Sequence, residues 1–221
     1  MTRVKICGVT RLEDALVAAE AGADMIGLNF YRRSPRSLTL EAASALTSAL
    51  RKRMGAQCPL LIGVFVNEST YEINRVASAL ALDAVQLSGD ESLEVMRALT
   101  VASYKAIQPP TAAIAAEDVS YFLQHPVADE RLPQILLDAY HPTLRGGTGE
   151  SVRDEVVALV RGRVSRWMLA GGLTPNNVAD RVAQLQPWGV DVASGVEDGV
   201  PGVKDHAKMQ SFIVRAKEGA Q

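Results

Sequence analysis

Short apolar runs alternate with longer amphipathic stretches along the whole chain, which predicts a regular succession of strands and helices. The predicted strands cover residues 4–8, 25–30, 60–66, 84–89, 103–108, 134–139, 166–171 and 189–195. The predicted helices lie near residues 12–22, 40–53, 70–81, 91–99, 111–124, 150–161, 175–186 and 206–217. The strands are apolar almost throughout, which is typical of parallel strands buried on both faces.

The number of repeating units decides between two α/β architectures. Eight strand–helix units favour a closed (β/α)₈ TIM barrel that forms a single domain over residues 1–221. An open doubly wound sheet uses the same units, but usually about five or six of them. The polar, proline-bounded segment 125–133 is predicted to be a loop rather than a linker between domains.

Residue types near the helix ends agree with these boundaries. Thr10 is predicted to cap the first helix, with Glu13 three residues later as in a capping box, and Gly22 is predicted to end that helix. Pro175 lies near the predicted start of the seventh helix, where a missing N–H has little consequence.

Composition argues against several classes of partner. The chain has 221 residues, 48% of them hydrophobic, with a net charge of −2 and no basic stripe that would suggest nucleic acid. No apolar stretch approaches the roughly 20 residues of a membrane span, and no signal-peptide pattern begins the chain. Only Cys7 and Cys58 are cysteines, without metal-type spacing, so we expect a cytoplasmic protein with both thiols reduced.

A thiol and a carboxylate are predicted to meet at the C-terminal ends of the strands, which form the working face of such a barrel. Cys7 ends the first strand, and Asp138 ends the sixth, just before the glycine-rich turn 146–149. A buried cysteine is more often a packing residue, and a loop aspartate more often forms a turn. Their common position favours a base and an acid instead, whereas Cys58 precedes the third strand on the opposite face and is predicted to be structural.

Two glycine-containing turns predict a small phosphorylated substrate. Gly171 and Gly172 follow the seventh strand, and Ser194 and Gly195 end the eighth. Exposed N–H groups in these loops can bind an anion, and strands seven and eight carry the usual phosphate site of this fold. The alternative is that tight turns simply require glycine.

Three arginines, Arg32, Arg33 and Arg36, follow the second strand. Such a group usually forms a solvated surface. At the mouth of a barrel, one of the three arginines can instead bind a carboxylate with two parallel hydrogen bonds.

Strand alternation makes a separate prediction for Lys5. If Cys7 faces the barrel mouth, Lys5 on the same strand points into the interior. Barrel closure puts strand eight beside strand one, and Asp191 is the only carboxylate in strand eight. We therefore predict a buried Lys5–Asp191 ion pair that favours the Cys7 thiolate over the thiol. The alternative is that Lys5 pairs elsewhere or extends through the bottom of the barrel.

Eight short motifs occur in order between residue 3 and about residue 213. They are Lys5–Gly8, Phe30–Arg36, Gly63–Asn67, Val85–Leu87, Leu136–Asp138, Gly146–Gly149, Gly171–Val178 and Val190–Glu197. In this order they resemble the phosphoribosylanthranilate isomerase family. The resemblance implies a (β/α)₈ barrel that performs the Amadori rearrangement of N-(5′-phosphoribosyl)anthranilate in tryptophan biosynthesis, without a metal or organic cofactor. A monomer and a homodimer both remain open.

The resemblance also implies roles for individual residues. Cys7 would be the general base, Asp138 the general acid and Arg36 the partner of the anthranilate carboxylate. The turns at 171–172 and 194–195 would hold the phosphate.

The chain departs from the family pattern at three places. Ser88 stands where histidine is usual, Glu150 where lysine or glutamine is common, and Val152–Asp154 replaces an aromatic pair. Two alternative functions stay open. One is another phosphosugar isomerase, such as one of histidine biosynthesis, because such barrels share the phosphate site. The second is a non-catalytic barrel that senses a phosphometabolite, which these departures support. The first typically has an aspartate in place of Cys7.

Overall fold

The computed structural model describes residues 1–138 and 153–219, in which eight parallel strands and eight α-helices alternate. The strands are β1 (Arg3–Cys7), β2 (Met25–Asn29), β3 (Leu60–Phe65), β4 (Ala84–Leu87), β5 (Ser103–Ile107), β6 (Ile135–Leu137), β7 (Trp167–Leu169) and β8 (Gly189–Val192). The helices are α1 (Leu12–Glu20), α2 (Leu40–Met54), α3 (Thr70–Ala79), α4 (Leu93–Arg97), α5 (Ala112–Phe122), α6 (Asp154–Arg163), α7 (Val178–Leu185) and α8 (His206–Glu218).

The sheet closes into a barrel because β8 pairs with β1 as well as with β7. Every neighbouring pair of strands is parallel, and the order around the barrel follows the order along the chain. The predicted (β/α)₈ barrel is thus confirmed, and the open doubly wound sheet is excluded. The segment 125–133 contains no helix or strand, as predicted.

The strands end earlier than the apolar pattern predicts, because the residues after them turn toward the mouth of the barrel. β8 stops at Val192, and Ser194–Val196 forms one turn of 3₁₀ helix. α7 begins at Val178 rather than near Pro175, since Asn177 first forms a turn by accepting the Thr174 N–H at 2.8 Å.

The prediction for the cap of α1 is wrong. Arg11 occupies the N-cap position, and no side chain caps the helix. The Thr10 hydroxyl instead donates to the carbonyl oxygen of Gly202 at 2.7 Å, which ties the start of α1 to the loop before α8. The predicted end of the helix is confirmed, because Gly22 has a φ of 90° and follows the last helical turn.

Apolar side chains fill the lower part of the barrel interior, and polar side chains lie between them and the mouth. Met25, Ile62, Tyr104, Leu136 and Met168 belong to one cluster of buried residues contributed by five strands. A larger cluster packs the outer strand faces against the helices. The fully buried Lys5 side chain lies among these apolar residues, and its charge therefore needs a partner. Within the described ranges, no helix is long and apolar enough to cross a membrane.

Candidate active site

A cavity of about 900 Å³, measured with its open mouth, lies at the C-terminal ends of the strands. All seven residues that the sequence places in the site line this cavity: Cys7, Arg36, Asp138, Gly171, Gly172, Ser194 and Gly195. Cys58 is half-buried just before β3, at the other end of the barrel, and does not line it. The fold therefore brings together residues from five different connections, as the working face of a barrel requires.

Cys7 is the last residue of β1, and its side chain faces the cavity while remaining 8% exposed. Gly27 on the neighbouring strand makes room for it, because a β-carbon there would lie 2.8 Å from the Cys7 sulfur. Burial raises the pKa of the Cys7 thiol above its usual value, and the ammonium groups of Lys5 and Lys204 only partly oppose this effect. The predicted effect of Lys5, which lowers the pKa of the thiol, is present, but burial has the larger effect and the net shift is upward.

The predicted ion pair between Lys5 and Asp191 is confirmed. Lys5 Nζ lies 2.9 Å from Asp191 Oδ1, and the two residues are in register across the closure of the barrel. The ammonium also donates to Gln86 Oε1 at 2.9 Å, and the Tyr104 hydroxyl donates to the same oxygen at 3.1 Å. Although burial opposes the charge, Asp191 and its neighbours raise the pKa of Lys5 above its usual value, so the lysine stays protonated.

Asp138 directly follows β6 and is half-buried. Its N–H donates to the carbonyl oxygen of Ile107 at 3.0 Å, so the backbone continues the pairing with β5. Gln108 Nε2 donates to Asp138 Oδ2 at 2.9 Å, which holds the carboxyl group against the cavity wall. The glycine-rich motif 146–149 lies outside the described residues, as do Glu150 and Val152.

Arg36 lies over Gly8 at the edge of the cavity, with its guanidinium paired to Glu197. Nε lies 2.7 Å from Glu197 Oε1, and Nη2 lies 2.7 Å from Glu197 Oε2. Gly8 has a φ of 66°, and a β-carbon there would lie 2.5 Å from Arg36 Cδ, so this position requires glycine. Sequence reasoning missed this partner, because Glu197 lies in a loop 161 residues away along the chain.

Lys204 is a second residue that the sequence did not indicate. Its ammonium is buried in the loop before α8 and lies 3.3 Å from Glu197 Oε1. The sequence does not indicate that Lys204 lies near Arg36 and Cys7, because it is far from both along the chain. Through Glu197, the loop before α8 reaches the wall of the cavity.

The two predicted anion-binding turns both require glycine. Gly171 and Gly172 have φ values of 85° and 64°, which favour glycine strongly. A β-carbon on Gly195 would lie 1.9 Å from the carbonyl oxygen of Leu173, so the two turns touch through this glycine. Asn177 Nδ2 donates to the Gly172 carbonyl oxygen at 2.9 Å and holds the first turn in shape. These turns therefore require glycine for their backbone conformation, as the alternative explanation proposed. They also line the cavity, where backbone N–H groups are suited to bind an anion.

Ser88 also lines the cavity. Its hydroxyl accepts a hydrogen bond from Gln86 Nε2 at 3.0 Å, which links it to the polar network around Lys5. Among the described residues, no group of three or more histidine, cysteine or acidic side chains is arranged to hold a metal ion. The site thus combines one thiol, carboxylates, basic side chains paired with carboxylates, and two glycine turns. This set of groups suits acid–base chemistry on an anionic substrate.

Several known proteins similar to this chain belong to one family. A family model described as "N-(5'phosphoribosyl)anthranilate (PRA) isomerase" matches residues 4–215. The N-(5'-phosphoribosyl)anthranilate isomerase of Trichlorobacter lovleyi is 42% identical over 218 residues, which cover 99% of each chain. The crystal structure of phosphoribosyl anthranilate isomerase from Thermotoga maritima matches with a TM-score of 0.83 at 36% identity, covering 99% of this chain and 100% of that one.

A further solved structure carries a ligand. It is a phosphoribosyl anthranilate isomerase in complex with reduced 1-(O-carboxyphenylamino)-1-deoxyribulose 5-phosphate, with a TM-score of 0.81 and 35% identity over 99% of this chain and 100% of that one. The match to the family model covers almost the whole chain, and the relatives are similar along their full length. This chain therefore belongs to the N-(5'-phosphoribosyl)anthranilate isomerase family.

Proposed function

We propose that Cys7 and Asp138 are the base and the acid with which this chain, an isomerase of tryptophan biosynthesis, rearranges N-(5′-phosphoribosyl)anthranilate. The product is 1-(2-carboxyphenylamino)-1-deoxyribulose 5-phosphate, and the reaction is an Amadori rearrangement. One observation carries the proposal: a thiol from β1 and a carboxylate after β6 face the same cavity, together with the two glycine turns. Two titratable groups in different surroundings are what separate acid and base steps require.

The acid step opens the sugar ring. Asp138 donates a proton to the furanose ring oxygen while the bond between C1′ and that oxygen breaks. The anthranilate nitrogen supplies the electron pair that forms the protonated Schiff base. The hydrogen bond from Gln108 fixes the orientation of the Asp138 carboxyl group, which a directed proton transfer needs.

The base step removes a proton from carbon. The Cys7 thiolate takes the proton from C2′, the C1′–C2′ bond becomes double, and the cationic nitrogen is neutralised. The resulting enolamine then tautomerises to the aminoketone. Burial disfavours the thiolate, and the positive charges of Lys5 and Lys204 oppose this effect in part.

Anionic groups at both ends of the substrate position it between the acid and the base. Glu197 accepts the Nε proton and one Nη2 proton of Arg36. The two Nη1 protons and the second Nη2 proton are left for the anthranilate carboxylate. The turns at 171–172 and 194–195 provide backbone N–H groups for the phosphate. Ser88 would contact the substrate where other family members have histidine, so its hydroxyl supplies a smaller, neutral wall.

A direct assay tests the function. The purified chain is mixed with phosphoribosylanthranilate, and the loss of the substrate's fluorescence is followed with time. We expect catalytic turnover by the wild type and none by a Cys7→Ala/Asp138→Asn double variant. Binding of the substrate without turnover by the wild type would contradict the proposal and favour a phosphometabolite sensor. Turnover of the corresponding histidine-pathway substrate instead would favour a different phosphosugar isomerase.

A further inference from the structure

A single carboxylate, that of Glu197, receives four hydrogen bonds at the edge of the cavity. Arg36 supplies two of them, the Gly202 N–H supplies a third at 2.8 Å, and Lys204 Nζ supplies the fourth at 3.3 Å. Glu197 is 7% exposed, so these contacts replace water almost completely. Although burial acts to raise it, the bound donors hold the pKa of Glu197 below its usual range, so the carboxylate stays charged.

Lys204 connects this carboxylate to the last turn of the barrel. Its ammonium donates to the Ala193 carbonyl oxygen at 2.9 Å, immediately before the turn formed by Ser194 and Gly195. Ala193 directly follows the last residue of β8, so this hydrogen bond holds the backbone where the strand ends and the turn begins. Lys204 is 3% exposed, and burying an ammonium group is unfavourable unless it is hydrogen-bonded and paired with an opposite charge.

Two cationic side chains share one carboxylate. Arg36 and Lys204 contribute two cations, and Glu197 contributes one anion between them. An ordinary structural ion pair would need only one of the two cations.

We infer that Lys204 is a positioning residue that sets both anion-binding elements at once. Through Glu197 it orients the Arg36 guanidinium, and through the Ala193 carbonyl oxygen it sets the turn at Ser194 and Gly195. This inference rests on the proposed function, because that function assigns a carboxylate to Arg36 and a phosphate to the turn. Loss of the ammonium should therefore weaken the binding of two different anions at two separate places.

Two small probes separate these places. Anthranilate represents the carboxylate end, inorganic phosphate represents the other end, and calorimetry on the full chain gives a Kd for each. Lys204→Met keeps the length of the side chain but removes its charge and donors. We expect the Kd of both probes to rise about tenfold, and the KM for phosphoribosylanthranilate to rise more than kcat falls.

Lys208→Met is the matched control. Lys208 lies in the first turn of α8, four residues after Lys204, and donates to the backbone carbonyl oxygen of Glu197 at 2.9 Å, but its side chain is about half exposed. This variant removes one lysine and one hydrogen bond to the same residue without touching the carboxylate. We expect both Kd values to stay at the wild-type level.

A purely structural role for Lys204 would give a different result. Lys204→Met would then melt at a lower temperature while both Kd values and the KM remained unchanged, and this would overturn the inference. A change in the Kd of only one probe would overturn it as well. If Lys204→Met does not fold, Lys204→Gln, which is also neutral, is tested with the same probes.

Failure of the proposed function is a separate result. Wild-type protein that binds both probes but does not turn over phosphoribosylanthranilate would refute the function. The comparison of Lys204→Met with Lys208→Met would still decide whether one ammonium supports both anion-binding elements.

Discussion

Lys5 Nζ lies 2.9 Å from Asp191 Oδ1 inside the barrel, on the same face of β1 as the Cys7 thiol. The pair joins the first strand to the last, because Lys5 and Asp191 are register partners where the barrel closes. Lys5 is fully buried, and it also donates a hydrogen bond to Gln86. A charge in this position depends on its counter-charge, so the pair links the closure of the barrel to the electrostatics of the thiol.

Asp191→Asn should destabilise the protein. The amide cannot neutralise the Lys5 ammonium, and removing one partner of a buried ion pair typically lowers the free energy of unfolding by about 3 kcal/mol. Chemical denaturation measures this change. The double variant Lys5→Met/Asp191→Leu is the control, and we expect it to regain most of the loss because no charge is left buried. Wild-type stability in Asp191→Asn would show that the ion pair does not hold the barrel closed.

Cys7→Ala and Asp138→Asn should each lower kcat by a factor of about 10² or more, the scale of lost acid–base catalysis. Melting temperatures should change little, because both residues lie at the mouth of the barrel. Cys58→Ala is the matched control, since this cysteine lies outside the cavity, and its kcat should equal that of the wild type. Near-normal turnover in either site variant would remove that residue from the mechanism.

Arg36→Ala should raise KM more than it lowers kcat, because the contact to the remote carboxylate is the same in the ground state and the transition state. Arg36→Lys should recover only part of the affinity, since a lysine cannot pair with Glu197 and the substrate through one planar group. Arg33→Ala, in the exposed part of the same loop, is the control and should behave as the wild type. An unchanged KM in both Arg36 variants would assign the carboxylate to another residue.

Periodicity in the sequence was sufficient for the barrel and for one of its interior contacts. Strand residues alternate between two faces, and a closed barrel has only one neighbour for β1 besides β2. These two constraints identify Asp191 as the partner of Lys5 without any coordinates. Position at the end of a strand also placed six of the predicted site residues at the cavity, whereas Arg36 was singled out among three arginines by the family resemblance.

Contacts between loops were not predictable from the same information. Thr10 is a good helix cap by residue type, but its hydroxyl bonds to Gly202, 192 residues away. Arg36 and Glu197 are 161 residues apart and meet only because both loops open onto one mouth. Local sequence contains no signal for the relative orientation of two loops, so these pairings depend on the folded barrel.

The charge state of Cys7 shows the same limit for electrostatics. Sequence reasoning considered the Lys5 ammonium, which lowers the pKa of the thiol. Burial of the thiol has the larger effect and raises the pKa, and Asp191 acts in the same direction. Lys204, like Lys5, acts to lower the pKa of the thiol, but it lies in a loop that the sequence did not connect with Cys7. The sign of the net shift depends on how deeply the sulfur lies, which residue types alone do not reveal.

The pH profile of the reaction should reflect this raised pKa. Only the thiolate of Cys7 can accept the C2′ proton, so kcat/KM should rise with pH and continue to rise beyond about 8.5, the usual pKa of a thiol. Lys5→Met removes a positive charge that lowers the pKa, so its rising limb should lie at still higher pH. Thiolate absorbance in a Cys58→Ala background measures the Cys7 titration independently of turnover. A rising limb centred below the usual thiol pKa would show that burial does not determine the pKa of Cys7. An unchanged limb in Lys5→Met would show that Lys5 does not affect this pKa.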